Sequence, residues 1–295
     1  MRFKYLTWLL VMTIMSSVAQ ANGVVDQECY RISNKLASVK LAECVDRDLV
    51  ASLGRSVNDA PILSKEYPPL PGRTPKGRVM IIGGLHGDEY SSVTIMFKWM
   101  KILDRYHSGL FHWKAIPLAN PDGLLRKKSQ RMNENGVDLN RNFPTLDWHK
   151  ESRHYWVERT KRNPRRYPGE APLSEPETRW LSNEIEEFSP DVIVSVHAPH
   201  GILDFDGPQA APKRLGNLHL NLLGTYPGSL GNYAGVGKKI PVITIELPSA
   251  GIMPSPHEVT KIWTDLVYWL RVNLPVNKTP LMQAVDENSD QAGPS

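Results

Sequence analysis

Apolar residues along this chain switch between a continuous run and a helical spacing, and each switch marks an element. Arg78-Val79-Met80-Ile81-Ile82 is an unbroken run of β-formers, and Val93, Met96, Phe97, Met100 and Leu103 follow at helical intervals. The pattern predicts a buried strand, a glycine turn, and a helix opening near Asp88. Two more runs, Asp191-Val192-Ile193-Val194-Ser195-Val196 and Pro241-Val242-Ile243-Thr244-Ile245, end at His197 and Glu246. Phe111 to Leu118 reads as a further strand and closes on Asn120-Pro121-Asp122-Gly123, a dense turn signal. Helices are expected at 175–188 and 256–272, the second carrying Val259, Ile262, Trp263, Leu266, Val267 and Leu270. Near-continuous apolar strands alternating with helices predict an α/β fold: a mostly parallel mixed sheet with helices on both faces. The proline-rich connector (Pro61, Pro68, Pro69, Pro71, Pro75) excludes helix and predicts extended packing against an edge.

The two ends of the chain depart from this pattern. Residues 1–21 combine basic Arg2 and Lys4, an apolar stretch from Leu6 to Ala19, and Ala19-Gln20-Ala21, the small-x-small motif of a signal peptide. The apolar stretch falls short of the roughly 20 residues of a membrane span. No cysteine follows the cleavage motif directly, so a stable membrane anchor is not expected and the destination is periplasmic or secreted. Residues 276–295 are polar and mixed and read as a disordered tail, which leaves 22–275 as the folded domain.

With 295 residues, 41% of them hydrophobic, the chain can bury a large core. The formal charge of +4 falls to +2 without Arg2 and Lys4. That is too little to indicate nucleic acid, and no aromatic–basic RNA motif is present. No repeat is visible at solenoid periods. The oligomeric state is left open.

Export changes the meaning of Cys29 and Cys44, because disulfides persist in oxidising compartments. A bridge between them would be worth about 3 kcal/mol in the chain-entropy account. Ile32, Leu36, Val39, Leu41 and Val45, however, are spaced roughly as on a helix. One unbroken helix would hold the two sulfurs about 22 Å apart. A bridge therefore needs a break, expected near Ser33-Asn34, and two separate buried thiols are the other reading.

The candidate chemistry gathers where strands end, the edge at which open α/β sheets bind ligands. A lone histidine at a strand end is most often a satisfied core residue, and His86 with Glu89 three residues on is a weak signal alone. His197 at a second strand end changes this. Two imidazoles and one carboxylate leave an open position on zinc, the arrangement of a catalytic rather than a structural site. His200 competes as a ligand but lies further into its loop.

Asp138-Leu139-Asn140-Arg141-Asn142-Phe143 is a polar run on neither period, and alone it would be a surface loop. Together with Gly84-Leu85-His86-Gly87-Asp88-Glu89, Asn120-Pro121-Asp122-Gly123, strand-end His197 and Ile245-Glu246-Leu247-Pro248, it resembles the zinc carboxypeptidases. The likeness covers roughly residues 50–272, with its motifs in the right order. It is greatest to the bacterial murein-peptide amidase branch, which Tyr167-Pro168-Gly169 and Pro172 to Thr178 also resemble.

Carried over residue by residue, the resemblance implies a zinc carboxypeptidase-like catalytic domain in which His86, Glu89 and His197 hold Zn2+. It implies Glu246 as general base, Arg131 as the group that steadies the oxyanion, and Asn140 with Arg141 as the clasp for a terminal carboxylate. Asp138 would orient His86. Each role has a chemical reason of its own: a carboxylate can take a proton from activated water, guanidinium matches carboxylate in a bidentate fork, and a ligating histidine usually donates its other nitrogen. The implied substrate is a peptide, specifically a cell-wall muropeptide cut between γ-D-glutamate and diaminopimelate. A general carboxypeptidase and an N-acyl amino-acid deacylase are the alternatives.

Two stretches depart from the family pattern. Tyr226, near Gly228-Ser229, has an uncertain register against the tyrosine that caps the pocket in digestive carboxypeptidases. The insert from Leu146 to Arg166 carries Arg153, Arg159, Lys161, Arg162, Arg165 and Arg166 with Trp148 and Trp156, and reads as a solvated loop or as a basic lip for acidic peptides. Other site classes fall away. There is no Gly-x-Ser-x-Gly elbow and no His-Glu-x-x-His, and Gly235-Val236-Gly237-Lys238-Lys239 lacks two requirements of a phosphate loop.

Overall fold

The strand expected at Arg78–Ile82 forms with those bounds and lies at the centre of a seven-stranded sheet. The computed structural model describes residues 23–274; the leader-like segment 1–21 and the polar tail 276–295 lie outside the described residues. Helix α1 (23–35) and α2 (Leu41–Val45) lead into strands β1 (Val50–Arg55) and β2 (Pro61–Tyr67). Then come β3 (Arg78–Ile82), α3 (Tyr90–Tyr106), β4 (His112–Ile116), α4 (Pro121–Leu125), α5 (Trp148–His154) and α6 (Pro176–Phe188). The chain continues through β5 (Val192–His197), β6 (Ile202–Asp206), the small pair β7 (Arg214–Leu215) and β8 (Leu218–His219), β9 (Val242–Glu246) and α7 (Pro256–Asn273).

Strand order is β1-β2-β4-β3-β5-β9-β6. The four inner strands are parallel. Antiparallel strands flank them on both sides. Alternation within each parallel strand supplies both faces. Val79, Ile81, Val192 and Val194 join the cluster that holds Phe97 and Met100 of α3 and Ile262 and Leu266 of α7. Met80, Ile82 and Ile193 face the opposite way, against Leu181, Ile185 and Phe188 of α6. This is why the strands read as unbroken apolar runs. Helix α7 starts where Ser255 caps the Glu258 N–H, with Pro256 in the first turn.

Two local expectations are corrected. Cys29 and Cys44 are bonded, with Cα atoms 5.4 Å apart, but the break between α1 and α2 spans 36–40 rather than Ser33-Asn34. Ser33 stays helical, its hydroxyl donating back to the Tyr30 carbonyl. The insert is largely exposed and anchored by Trp148, as one reading had it, but it is not a loop: after α5 it continues as a π turn at Tyr155–Arg159 and a 3-10 turn at Pro164–Arg166. Trp148 is buried and donates its indole N–H to the Arg141 carbonyl at 2.9 Å, which fastens the insert to the polar motif.

Candidate active site

His86, Glu89 and His197 converge, with one ligand atom from each lying within 4.8 Å of the others. Their exposures are 3%, 5% and 2%, so the group is shielded from water. His86 leaves the end of β3 in a turn where Gly87 crosses the backbone of Gly123; a Cβ at Gly87 would overlap that backbone. This close approach ties the His86 turn to the Asn120–Gly123 turn. Glu89 occupies the N-cap of α3 but caps no backbone N–H of its own helix. Its carboxylate lies 2.8 Å from Nδ1 of His86 and 3.1 Å from Nδ1 of His197. The two Nδ1 atoms are 3.0 Å apart.

Each imidazole is held by its other nitrogen. Nε2 of His86 meets Asp138 Oδ1 at 3.2 Å, and Nε2 of His197 meets the Ser195 hydroxyl at 2.9 Å. Both Nδ1 atoms therefore turn inward beside a carboxylate, a nitrogen–oxygen donor set that suits zinc. Burial by itself would raise the Glu89 carboxyl, but His86 and His197 outweigh it and hold the group well below the usual carboxylate range. Asp138, fully buried, is likewise held far down, by Arg131 first and then by His86 and Arg141.

The polar motif supplies the wall. Asp138 also accepts from Arg131 Nε at 2.9 Å and from the Asn140 backbone at 3.1 Å. Asn140 accepts from the Leu230 N–H at 2.8 Å, which leaves its amide nitrogen as a donor. Asn142 bonds the Pro168 and Ala171 carbonyls and accepts from Thr178, so it clamps the segment that leads into α6. Phe143 stacks on Tyr233. A run without periodicity is thus a string of separate fastenings.

Arg131, Asn140, Arg141, His197 and Glu246 all line one pocket with His86 and Glu89. Arg141 is 6% exposed and, among the described residues, its Nε has no partner. Burial pulls its pKa down to about 10, with Asp138 opposing and Arg131 and Arg166 adding to the fall. Its guanidinium lies 4.4 Å from the Tyr226 ring, which places Tyr226 in the pocket as well. Glu246 is opposite His197 in the β5–β9 ladder, and its Oε2 is buried without a partner among the described residues. His200 is exposed at the pocket rim, outside the group of three.

Several residues in or behind the pocket were not singled out from the sequence. Ser195 shares a face with His197, two residues away on β5, and that period was the signal for it. Asp204 and Asp206 alternate with core residues Leu203 and Phe205 on β6, another period-two signal. Arg166 reaches the pocket from the insert, where it was one basic residue among six.

A parallel-centred sheet carrying this buried donor set at its strand ends defines a zinc-peptidase architecture. The zinc carboxypeptidase family model matches residues 40–204, and the chain belongs to that family. It is 35% identical over 148 residues to murein peptide amidase A of Escherichia coli (strain K12), covering 50% of this chain and 57% of that protein, so the match spans little more than half of the relative's length. Murein peptide amidase A of Vibrio campbellii is 32% identical over 204 residues, 67% of this chain and 78% of that one. Among solved structures, murein-tripeptide amidase MpaA from Escherichia coli O157 superposes with a TM-score of 0.53 at 29% identity, covering 73% of this chain and 88% of its own. Carboxypeptidase A from Helicoverpa armigera reaches 0.58 at 16% identity, covering 74% of this chain and 66% of its own, a likeness of fold alone.

Proposed function

We propose that this protein is an exported zinc-dependent peptide hydrolase that trims peptidoglycan stem peptides, cutting between γ-D-glutamate and diaminopimelate. The observation that carries the reading is Arg141: a buried guanidinium with an unpartnered nitrogen, beside Glu246 and the His86–Glu89–His197 group in one pocket. Its Nη1 donates to the Asn140 carbonyl at 2.6 Å, but among the described residues it has no ion pair, and a buried cation at that place calls for an anion, which the free carboxylate of a peptide end supplies. Asn140 adds an amide donor. The names of the murein amidase relatives point to the same substrate class. Export is supported by the leader-like segment 1–21 and by the Cys29–Cys44 bridge, and among the described residues no helix is long and apolar enough to cross a membrane.

His86, Glu89 and His197 would hold zinc, which when bound polarises a carbonyl and makes water a nucleophile near neutral pH. Glu246, with its orphaned oxygen, accepts the proton of the attacking water and passes it to the leaving nitrogen. Arg131 keeps its charge beside the carbonyl oxygen, because Asp138 and Glu89 raise its pKa against the pull of burial. Arg141 and Asn140 fix the carboxylate end, so that the scissile bond meets Glu246 in one orientation. Arg166 adds a second guanidinium, suited to the free α-carboxylate of a γ-linked glutamate.

Mass spectrometry of purified muropeptides before and after incubation with the zinc-loaded protein tests this reading. Conversion of the diaminopimelate-ended tripeptide to the dipeptide is expected. An intact tripeptide alongside rapid cleavage of an ordinary L-peptide would assign a general carboxypeptidase instead.

A further inference from the structure

The pocket holds two acids that the hydrolytic steps do not use. Strand β6 runs antiparallel to β9, with Ile202 opposite Glu246, Asp204 opposite Thr244 and Asp206 opposite Val242. Leu203 and Phe205 turn into the core, whereas Asp204, Asp206, Thr244 and Glu246 line the pocket. A rise of about 3.3 Å per residue places Asp204 about 7 Å and Asp206 about 13 Å down the sheet from Glu246. That interval brackets the reach of a four-carbon side chain and its hydrogen bond.

Among the described residues, no cation pairs with these acids. Asp204 accepts from the backbone N–H groups of Phe205 and Leu223, through one oxygen only. Asp206 makes no side-chain hydrogen bond or ion pair among the described residues, and burial with the adjacent Asp204 pushes its pKa up to about 6. It is therefore ionised at neutral pH. Space is made for it by Gly231, where a Cβ would overlap its carboxylate. Two unneutralised carboxylates in a partly dry pocket are unfavourable until a cation joins them. The opposite charge requirement stands in the same pocket: Arg141, more than nine-tenths buried, has a nitrogen without a partner.

We propose that Asp204 and Asp206 form an ammonium receptor, so that the terminal residue held at Arg141 is a diamino acid whose side-chain nitrogen lies between the two acids. The assignment rests on the reading of Arg141 as the clasp for the terminal carboxylate. It makes the released residue one that carries a side-chain ammonium, as lysine and diaminopimelate both do, diaminopimelate bearing a second carboxylate as well. Neutral side chains of equal length would leave the acids unpaired.

Calorimetric binding of free L-lysine, meso-diaminopimelate and L-norleucine to the zinc-loaded protein tests the receptor without any bond being cut. Lysine and diaminopimelate should bind at least ~10-fold tighter than norleucine. Asp206→Asn should bring that ratio close to one and Asp204→Asn should reduce it, with norleucine affinity unchanged in both. Equal affinity for lysine and norleucine in the unaltered protein overturns the proposal, as does a ratio that survives both substitutions or a lack of binding by either diamino acid. Should the variants fail to fold, the comparison in the unaltered protein still decides. Preference for the diamino acids with the muropeptide left uncut would keep the receptor and remove the peptidoglycan reading.

Discussion

Glu246 stands directly opposite His197 in the parallel ladder of β5 and β9. Both strands end at the same level of the sheet, so the register alone brings a carboxylate beside the His86–Glu89–His197 group without making it a member. The two functions should therefore separate on mutation. Glu246→Gln is expected to fold and retain zinc, yet lose at least ~100-fold in kcat, the usual scale of general-base catalysis. His86→Ala and His197→Ala should fold and lose the metal by elemental analysis. Near-normal turnover in Glu246→Gln, or full zinc in both histidine variants, would refute this division of labour.

Ser195 acts on the metal site from one bond further out. Its hydroxyl meets Nε2 of His197 at 2.9 Å and so favours presentation of Nδ1 to the ion. Ser195→Ala should weaken zinc binding about 10- to 100-fold, the typical cost of losing such a support. Competition with a chromogenic chelator would read this directly. Unchanged affinity would mean that packing alone orients the ring.

Much of this arrangement was visible in the sequence because burial and chemistry coincide at the strand ends. Ile82, Val196 and Ile245 belong to apolar runs that predict strands, and the next polar residues are at or near the site. Strand β1 left no such trace: it is an edge strand with Leu53 95% exposed, and its one buried residue, Gly54 against Trp180, has no side chain to mark a pattern. Strand β6 went unread for another reason. Its polar face carries acids, which look like a surface loop until the pocket beneath them is known. The insert's helix was hidden because Trp148 is its one buried large apolar residue, bonded to the backbone of the polar motif, and a single such position makes no period.

The Cys29–Cys44 bridge joins α1 to the short α2 across 15 residues of chain. Both sulfurs belong to the core beside Ile32, Leu36 and Val39. Thiol titration of denatured, unreduced protein should find no free thiol. Reduction should lower the free energy of unfolding by about 3 kcal/mol in the chain-entropy account, measurable by urea titration. Two titratable thiols in protein purified under oxidising conditions would contradict the bridge.

Arg141 predicts a sharp preference for a free carboxyl end. Hydrogen bonds to a charged group contribute about 1.5–3 kcal/mol. Amidation of the substrate terminus should therefore lower kcat/KM by about 10- to 100-fold. Arg141→Ala should reduce cleavage of the acid and abolish most of the difference between acid and amide. Equal cleavage of both by the unaltered enzyme would take Arg141 out of the clasp.

Asp206 gives a prediction about stability in which the sign is fixed by the direction of its shift. Its pKa rises from 3.8 in the unfolded chain to about 6 in the folded protein, through burial first and Asp204 second. Between those values the folded state binds more protons than the unfolded one, so this residue's contribution to stability falls as pH rises. The penalty is absent below about pH 3.8 and complete above about pH 6. Part of the group is in contact with solvent, and screening reduces the full linkage figure to about 1–2 kcal/mol. Asp206→Asn should therefore raise the melting temperature relative to the unaltered protein at pH 8, and the gain should disappear towards pH 4. Lysine should produce a similar gain at pH 8 by pairing with the charged acid, but only in the protein that retains Asp206. A difference in melting temperature that stays constant from pH 4 to pH 8 would show that Asp206 carries no unpaired charge.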